Sequence, residues 1–420
     1  MPNLLICLFL IFTLMPLWGC SPAKGLDQIL LEVAHMDDES LLANFAPEIC
    51  RTGENAEALA RNTAQIQISV VRLLLDAGAD VNARNIEKQT PLMLAAQRNR
   101  EFLVALMLLR GAKSDLTDKN GMSARMLAGP CKNEEVEVLI SLADQFWGQK
   151  KQEFGNVDQM LNHACAMGAA GAAGLFLDLG ADINAPLASN PDEIPLLVAA
   201  KFSRTETVRL LLKRGADVHA TTSHGDTALY LAVTSHLYED DEKEYLGTLQ
   251  VLLEHKADMN KIIRNRNFVY TALSTAVSTN RPIAVDFLLN SGADPNLELH
   301  NGITALTDAI LFERKELVKL LIRHGADVNH VDHVNGIPLE YAMDAETISL
   351  LVQNGADVNF RHKSGATPLM RAIKDGSLMR AKAYIENGAD VNFVSRDGKT
   401  ALSLAEGEFI PLLKKAGAKR

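Results

Sequence analysis

The sequence predicts an all-α protein built as a stack of short helix pairs. Two observations carry this prediction. The segment GADVN, or a close variant, recurs at separations that are often about 33 residues, with apolar residues at helical spacing between the copies. A segment of the form T-x-L-x-x-A precedes most copies. The recurring segments begin at Gly78, Gly180, Gly215, Gly292, Gly325, Gly355 and Gly388, and degenerate copies begin at Gly111, Lys256 and Gly417.

The stretch 304–329 shows one repeating unit in full. Thr304 stands where its hydroxyl can cap a first helix that is too short to be stable alone. A second helix follows and ends at Gly325, which supplies a left-handed residue before an Asp and Asn turn. The apolar residues expected in the core are Ala305, Leu306, Ala309 and Ile310 of the first helix and Leu317, Val318, Leu320, Leu321 and Ile322 of the second.

The segments that open the first helices carry a family resemblance. They are TPLMLAA from Thr90, IPLLVAA from Ile194, TALYLAV from Thr227, TALSTAV from Thr271, TALTDAI from Thr304, TPLMRAI from Thr367 and TALSLAE from Thr400. They resemble the T-P-L-H-x-A signature of the ankyrin repeat, which has a period of about 33 residues. The resemblance implies an ankyrin-repeat solenoid of about ten helix-turn-helix units with projecting β-turn fingers. Other residues, Met93 and Tyr230 among them, replace the His of that signature, so its side-chain contact is absent or different here.

The first nineteen residues read as a signal peptide. They contain no charged side chain, and the apolar run from Leu4 to Trp18 is shorter than the roughly 20 residues that span a bilayer. The sequence LWGC resembles the cleavage box of bacterial lipoproteins, which implies lipidation of Cys20 and a tether over residues 20–25. Ser21 in the next position implies an outer-membrane anchor facing the periplasm. Trp18 and the absence of Lys or Arg depart from that family, so an ordinary secretory leader or an uncleaved anchor stays open.

The repeats are predicted to fill residues 56–420, after an N-terminal helical cap over residues 26–55. The signature weakens over residues 121–180, where an Ala and Gly run at 166–174 predicts irregular geometry because these residues are not all good helix formers. Cys165 reads as a small buried residue. A disulfide between Cys131 and Cys165 stays open, and so does the state of Cys50.

Three repeats depart from the regular spacing. About eight extra residues enter around HLYEDDEKEY and are expected at the turn between two helices, where Asp240 and its acidic neighbours read as a solvated loop rather than a cation site. The intervals 342–355 and 405–417 are shorter than standard, which predicts clipped helices or turns.

Composition and motifs argue against nucleic acid and against catalysis. The 420 residues carry a net charge of −10, which does not favour binding to a phosphate backbone. We find no glycine-rich phosphate loop, nucleophile elbow or CxxC pair in the sequence. His324, His330 and His333 lack the further ligands of a metal site. We therefore expect no cofactor, no metal site and no enzymatic activity.

The candidate binding residues lie on the turns and at the ends of first helices. The resemblance implies that fingers and first helices line a concave face that binds proteins, and arginine and aromatic residues dominate binding hot spots. Packing between neighbouring fingers is the alternative for the aromatics, and solubility is the alternative for the basic residues. The candidates are Phe202, Arg264, Arg266, Phe268, His300, Phe312, His330, His333, Phe360, Arg361, His362, Phe393 and Arg396.

These observations favour a protein-binding lipoprotein that is monomeric when unbound. Basic fingers predict a partner with an acidic contact surface. Resemblance to bacterial ankyrin lipoproteins implies an immunity protein that blocks a secreted antibacterial toxin, such as a lipase, in the periplasm. The alternative is a periplasmic scaffold or regulator of an envelope or oxidative-stress enzyme.

Overall fold

The computed structural model describes residues 25–36, 67–128, 134–147, 157–187, 190–235, 242–265 and 268–419. The predicted leader, Cys20, Cys50, Cys131 and Arg266 lie outside these residues, as do most of the predicted cap and residues 236–241 of the insertion. The chain divides into two compact units. Unit 1 runs to Ala199 and includes Arg209–Ala216, and unit 2 comprises Ala200–Val208 and the chain from Asp217 onward.

Unit 1 contains short helices in pairs. Helix α1 packs against α3, and the amide of Gln67 donates to the carbonyl oxygen of Val33 at 2.8 Å. Helices α9 and α10 straddle the division between the units. The helices from the N-terminus to that division are α1 Leu26–His35, α2 at residues 67–76, α3 Pro91–Gln97, α4 Glu101–Leu109, α5 Ala124–Ala128, α6 Glu134–Trp147, α7 Val157–Met167, α8 Ala170–Asp178, α9 Pro195–Lys201 and α10 Thr205–Lys213.

Unit 2 continues the same alternation of a short first helix and a longer second helix. Its helices are α11 Ala228–Val233, α12 Glu242–Glu254, α13 Ala272–Ser278, α14 Pro282–Asn290, α15 Ala305–Leu311, α16 Lys315–Arg323, α17 Pro338–Tyr341, α18 Ala345–Gln353, α19 Pro368–Lys374, α20 Leu378–Glu386, α21 Ala401–Leu404 and α22 Phe409–Lys415. The strands β1 Ile263–Asn265 and β2 Phe268–Tyr270 form one antiparallel hairpin. Neighbouring first helices pack on one another, as α13 and α17 do on α15.

The core of the reference repeat agrees with the sequence in most positions. Ala305, Leu306, Ala309 and Ile310 are buried, and so are Leu317, Val318 and Leu321. The prediction is wrong for Leu320 and Ile322, which are only half-buried. Leu320 lies on the outer side of α16. It borders an open groove of about 580 Å³ that Ile283 and Phe287 of α14 also line.

Threonine caps most of the first helices. The hydroxyls of Thr90, Thr227, Thr271, Thr367 and Thr400 each accept the N–H of the residue three positions later. Thr304 keeps the same extended backbone, but its hydroxyl is buried and accepts no bond, so the predicted cap is wrong there. The N-cap position is therefore set by the backbone even where the side-chain bond is missing.

The Asp and Asn of the recurring segment join one repeat to the next. The Oδ1 of Asp327 accepts the N–H of Asn329 at 2.8 Å, which closes the turn. The Oδ1 of Asn296, one repeat earlier, accepts the N–H of Asp327 at 2.8 Å, and its amide donates to the carbonyl oxygen of Gly325 at 3.1 Å. Asn329 makes the same two bonds to the following repeat. The sequence repeats these residues because the Asp closes its own turn and the Asn satisfies two backbone groups of the following repeat.

The irregular intervals show how the helices absorb the changes in length. Helix α12 has 13 residues where its counterparts α14 and α16 have nine, so part of the insertion lengthens this helix. Glu242 and Glu244 lie in its first turn, where the helix dipole favours acidic residues. Helices α17 and α21 have only four residues each, which confirms the prediction of clipped helices.

The Ala and Gly run at 166–174 spans the end of α7, a turn at Gly168 with φ +80° and the start of α8. Both helices are regular, so the prediction of irregular geometry is wrong. Helix α8 has nine residues, as α4 does. Gly174 is buried within it, and a Cβ built there would lie 3.7 Å from Cδ2 of Leu210. Packing against neighbouring helices therefore outweighs the poor intrinsic propensity of the run. Cys165 is a buried free thiol, and burial raises the pKa of that thiol.

We expect Gly174→Ala to raise the free energy of unfolding by about 1 kcal/mol, because alanine favours a helix interior and fits at this distance. Urea unfolding monitored by circular dichroism measures the change. Gly180→Ala is the matched control, because Gly180 ends the same helix with φ +98° and alanine there should destabilise. If Gly174→Ala destabilised the protein as Gly180→Ala does, the packing at Gly174 would be tighter than the structure shows.

A search of the described helices for an apolar length sufficient to cross a bilayer finds none.

Candidate functional site

The most distinctive surface of unit 2 is its finger face. We define the finger face as the hairpin segments 263–265 and 268–270 and the turns 297–303, 330–336, 361–366 and 394–399, together with one residue row on the first helices that follow the first four of these fingers. The row occupies one equivalent position in successive repeats and consists of Thr275, Asp308, Tyr341 and Arg371. The turns bring most of the predicted binding residues to this face.

The turns are held in shape by side chains at their base. The Oδ1 of Asp332 accepts the N–H groups of Val334 and Gly336 at 2.9 and 2.8 Å. Its Oδ2 accepts the hydroxyl of Tyr341, which belongs to the row on the first helices. Burial and the hydrogen bond to Asp332 raise the pKa of Tyr341. The row therefore lies beside the fingers.

The first finger is the β1–β2 hairpin. Ile263 is paired with Tyr270 and buried, whereas Phe268 is 68% exposed and the Arg264 side chain is also exposed. Tyr270 donates to Oδ1 of Asp226 at 2.9 Å and lies against the ring of Tyr230 with centroids 4.9 Å apart. These contacts hold the hairpin to the rest of unit 2 and leave Phe268 on the surface.

Two of the predicted histidines contact the preceding finger. His330 Nε2 lies 2.8 Å from the carbonyl oxygen of Gly302, and the His333 ring packs so closely on Gly302 that a side chain there would collide with it. Both imidazoles are within 4 Å of the Glu298 carboxylate, at 3.9 and 3.5 Å. The side chains of His330 and His333 therefore pack between neighbouring fingers, which is the alternative to a binding role for them. His300 is exposed in the 3-10 turn at the same tip.

The last three fingers also contact one another. The Arg361 guanidinium carbon lies 4.9 Å from the centroid of the Phe393 ring, a cation–π contact. His362 Nε2 lies 3.1 Å from the carbonyl oxygen of Val334, and Arg396 packs directly on the backbone of Gly365. These contacts fix the positions of the fingers, while Arg361 and Arg396 remain exposed. Phe360 and Phe393 are half-buried.

Sequence reasoning missed the valines at the finger tips. Val334 is 64% exposed. Val331 in the same turn and Val394 two fingers further along the chain are exposed as well. A signal was present, because these apolar residues stand in turns where the repeat needs no core residue. In the described part of the chain, no hydrogen bond or ion pair engages the side chains of Arg264, Lys363 or Arg396. The finger tips therefore present free cations next to exposed apolar groups.

Phe202 and Phe312 are exposed as well, at the far ends of their first helices from the fingers. Phe312 is 49% exposed, and Lys201 lies 5.8 Å from the Phe202 ring centroid. The two phenylalanines belong to repeats that are not adjacent, because α11 and α13 come between them. Leu311, Met343 and Met379 are exposed in the same part of the repeats as Phe312, and the sequence analysis did not single them out.

The row on the first helices is polar at its centre. Arg371 donates to the Glu340 carboxylate at 2.8 Å, and the Glu340 side chain is only 3% exposed. Asp308 is half-buried, and burial raises the pKa of its carboxyl group to about 6. No set of three metal-ligating side chains occurs in the residues described. Exposed recognition groups on rigid supports are suited to binding a macromolecule.

Comparisons with known proteins agree with this architecture. A family model for ankyrin repeats in three copies matches residues 57–146, 161–263, 242–332 and 339–419. A human ankyrin repeat and SOCS box protein is 33% identical over 258 residues, which is 58% of this chain and 52% of that protein.

A Treponema pallidum (strain Nichols) ankyrin repeat-containing protein is 38% identical over 124 residues, 29% of this chain and 42% of that protein. A fowlpox virus (strain NVSL) ankyrin repeat protein is 33% identical over 153 residues, 35% of this chain and 42% of that protein. Each match covers about half of the relative or less, so the likeness lies in the repeats.

Proposed function

This chain belongs to the ankyrin-repeat family, whose repeats bind other proteins, and we propose that it binds one protein partner through the finger face of unit 2. One observation carries the proposal. The finger tips combine free cations with exposed apolar residues, although the chain as a whole has a net charge of −10. Buried Arg and aromatic anchors supply most of the binding energy at protein interfaces.

The chemistry of the finger tips favours a partner whose contact surface is acidic and partly apolar. Arg264, Lys363 and Arg396 would steer an acidic surface, and Val334 and Phe268 would lose exposed apolar area on contact. Association should therefore slow as salt is added, because the free cations are solvent-exposed and screened. Ankyrin-repeat proteins are in general interaction scaffolds rather than enzymes, in keeping with this role.

The place of action is a separate part of the proposal. The apolar first nineteen residues and Cys20 support a lipid anchor on the periplasmic face of a bacterial outer membrane. In that place the partner would be a secreted antibacterial toxin, such as a lipase, which this protein blocks. A periplasmic enzyme held by a scaffold is the competing partner, and the identity of the captured protein decides between them.

Site-specific photo-crosslinking tests the binding surface. A benzoylphenylalanine replaces Val334 or Val394 in separate variants, and Gln353, exposed on the second helix α18, is the control position. We expect the finger positions to crosslink the same envelope protein and the Gln353 position to leave it uncaptured. Equal crosslinking from Gln353 would refute the finger face as the contact surface. Radiolabelled palmitate incorporation that requires Cys20 tests the anchor independently.

Arg361→Glu should weaken binding of the captured partner by about tenfold or more, because reversing a hot-spot charge costs at least about 1.4 kcal/mol. Isothermal titration at two salt concentrations measures the affinity. Lys382→Glu reverses an exposed charge on α20 and is the matched control. Retention of full affinity by Arg361→Glu together with loss on Lys382→Glu would move the site to the second helices.

A further inference from the structure

One carboxylate on the finger face, that of Asp308, has no side-chain partner among the residues that the structure describes. Asp308 lies on α15, in the row whose other members are Thr275, Tyr341 and Arg371. Tyr341 is bonded to Asp332 and Arg371 is bonded to Glu340. Within the described residues, no hydrogen bond or ion pair engages the Asp308 side chain. An ionised carboxylate taken partly out of water without a compensating charge is costly.

The elements around Asp308 supply no cation to it. Helix α13 on one side has no titratable side chain, and α15 itself has only Asp308. Helix α17 on the other side brings Glu340 and Tyr341, which are engaged elsewhere.

Most charged residues of α16 and of the adjacent finger are committed elsewhere. Within the described residues, neither Arg314, which precedes α16, nor His300 in that finger is bonded to Asp308. Lys315 is bonded to Glu346 at 2.7 Å, and Lys319 to Glu316 at 2.9 Å. Arg323 donates to the backbone of its own helix at 3.3 Å. In the finger before α15, Glu298 faces His330 and His333. The raised pKa of Asp308 accordingly has burial as its cause, with no contribution from a charged neighbour.

We propose that Asp308 is the receptor for an arginine side chain that the protein partner inserts between the fingers and the first helices. The inference rests on the proposed function and deepens it, because it adds one basic contact to an otherwise acidic partner surface. A guanidinium can donate two parallel N–H bonds to a carboxylate, and part of the cost of removing this carboxylate from water is already met in the free protein. A single carboxylate does not provide the six to eight oxygens that Ca²⁺ requires.

Asp308 also gives the contact a pH dependence. Its pKa of about 6 leaves the carboxylate ionised at pH 7 and able to bind a guanidinium. Protonation removes the charge as the pH falls through 6. The arginine contact should therefore weaken below pH 6.

The probe for this site is N-acetyl-arginine methylamide, and the readout is the titration of the Asp308 carboxyl carbon by nuclear magnetic resonance in the full chain. Asp308→Asn identifies the resonance. With the probe at several times its dissociation constant, the pKa of Asp308 should fall by about 0.5 to 1, because only the ionised form binds a cation. The citrulline analogue, the same shape without the charge, should leave it unchanged. Asp286, exposed on α14, is the internal control.

The outcomes separate this inference from the proposed function. A fall in the pKa of Asp308 with the arginine probe alone supports an arginine receptor, and a larger fall with the lysine analogue contradicts it in favour of an ammonium site. No change, or an equal change at Asp286, overturns the receptor. In that case crosslinking from Val334 still stands as a separate result. Loss of crosslinking would instead remove the protein partner while leaving the probe result intact.

Discussion

Replacing Arg380 with Met is expected to lower the free energy of unfolding by about 3 kcal/mol. Removal of this buried arginine leaves the groups that accept its hydrogen bonds without a donor. Arg380 on α20 is buried, and its Nη2 donates to the carbonyl oxygen of Glu340 at 2.7 Å. The Tyr384 hydroxyl donates to the carbonyl oxygen of Leu339 at 3.1 Å and accepts a hydrogen bond from Nη2 of Arg380 at 3.3 Å. Urea unfolding followed by circular dichroism measures the loss.

The reason lies in the short helix α17. A helix of four residues has no room for a full set of internal hydrogen bonds, so its carbonyl groups need donors from elsewhere. Arg380 and Tyr384 supply them from the next repeat. Removing Arg380 leaves the Glu340 carbonyl without that donor inside the protein, and a buried unsatisfied group costs about 1 to 3 kcal/mol by itself.

Lys382→Met is the matched control, because it removes the same charge from an exposed position on the same helix and should change stability by less than about 0.5 kcal/mol. Hydrogen exchange should place the Arg380→Met defect in α17 and α20. Equal stability of the two variants would show that α17 does not depend on Arg380.

A second Arg and Tyr pair supports the repeat of unit 2 that carries the insertion. Arg281 donates to the carbonyl oxygens of Val233 and Ser235 at 2.6 and 2.7 Å, and Tyr245 donates to that of Val233 at 3.2 Å. These carbonyls end helix α11, immediately before the insertion. Two of the three departures from the regular spacing are therefore stabilised by an arginine and a tyrosine that reach the end of a first helix.

The fold was largely predictable because each repeat is specified locally. A glycine with positive φ ends the second helix, as Gly325 does at +84°, and a threonine marks the start of the first helix. Lys256 takes the same left-handed conformation, with φ 68°, which explains why a degenerate copy still forms the turn. The contacts of Arg380 and Arg281 could not be predicted, because their backbone partners are 40 to 48 residues away in the sequence.

The site was predictable only in part, for a similar reason. Sequence position placed the candidate residues on the fingers, but it could not show which side chains face a neighbouring finger. His330 and His362 contact backbone carbonyls across 28 residues, so they position the fingers. Asp308 was missed because a single Asp in a helix looks like any solvated residue until its neighbours are known to be paired.

The finger face should depend on Asp332 more than on any other single side chain at its base. Asp332→Ala removes three acceptor contacts, from the N–H groups of Val334 and Gly336 and from the hydroxyl of Tyr341. We expect a loss of about 3 kcal/mol in the free energy of unfolding, because donors that are partly or fully buried lose their acceptor. Crosslinking from a benzoylphenylalanine at Val334 should fall with it.

Two milder variants separate the contribution of the backbone contacts of Asp332 from that of its contact with Tyr341. Asp332→Asn keeps the Oδ1 acceptor for Val334 and Gly336, and Tyr341→Phe removes only the contact at Oδ2. Each should cost about 1 kcal/mol, and crosslinking from Val394, in the next-but-one finger, should persist in both. If Asp332→Ala were no more damaging than Tyr341→Phe, the turn 330–336 would keep its shape without the aspartate. The rigidity of the fingers would then come from contacts between them, such as that of His333 with Gly302.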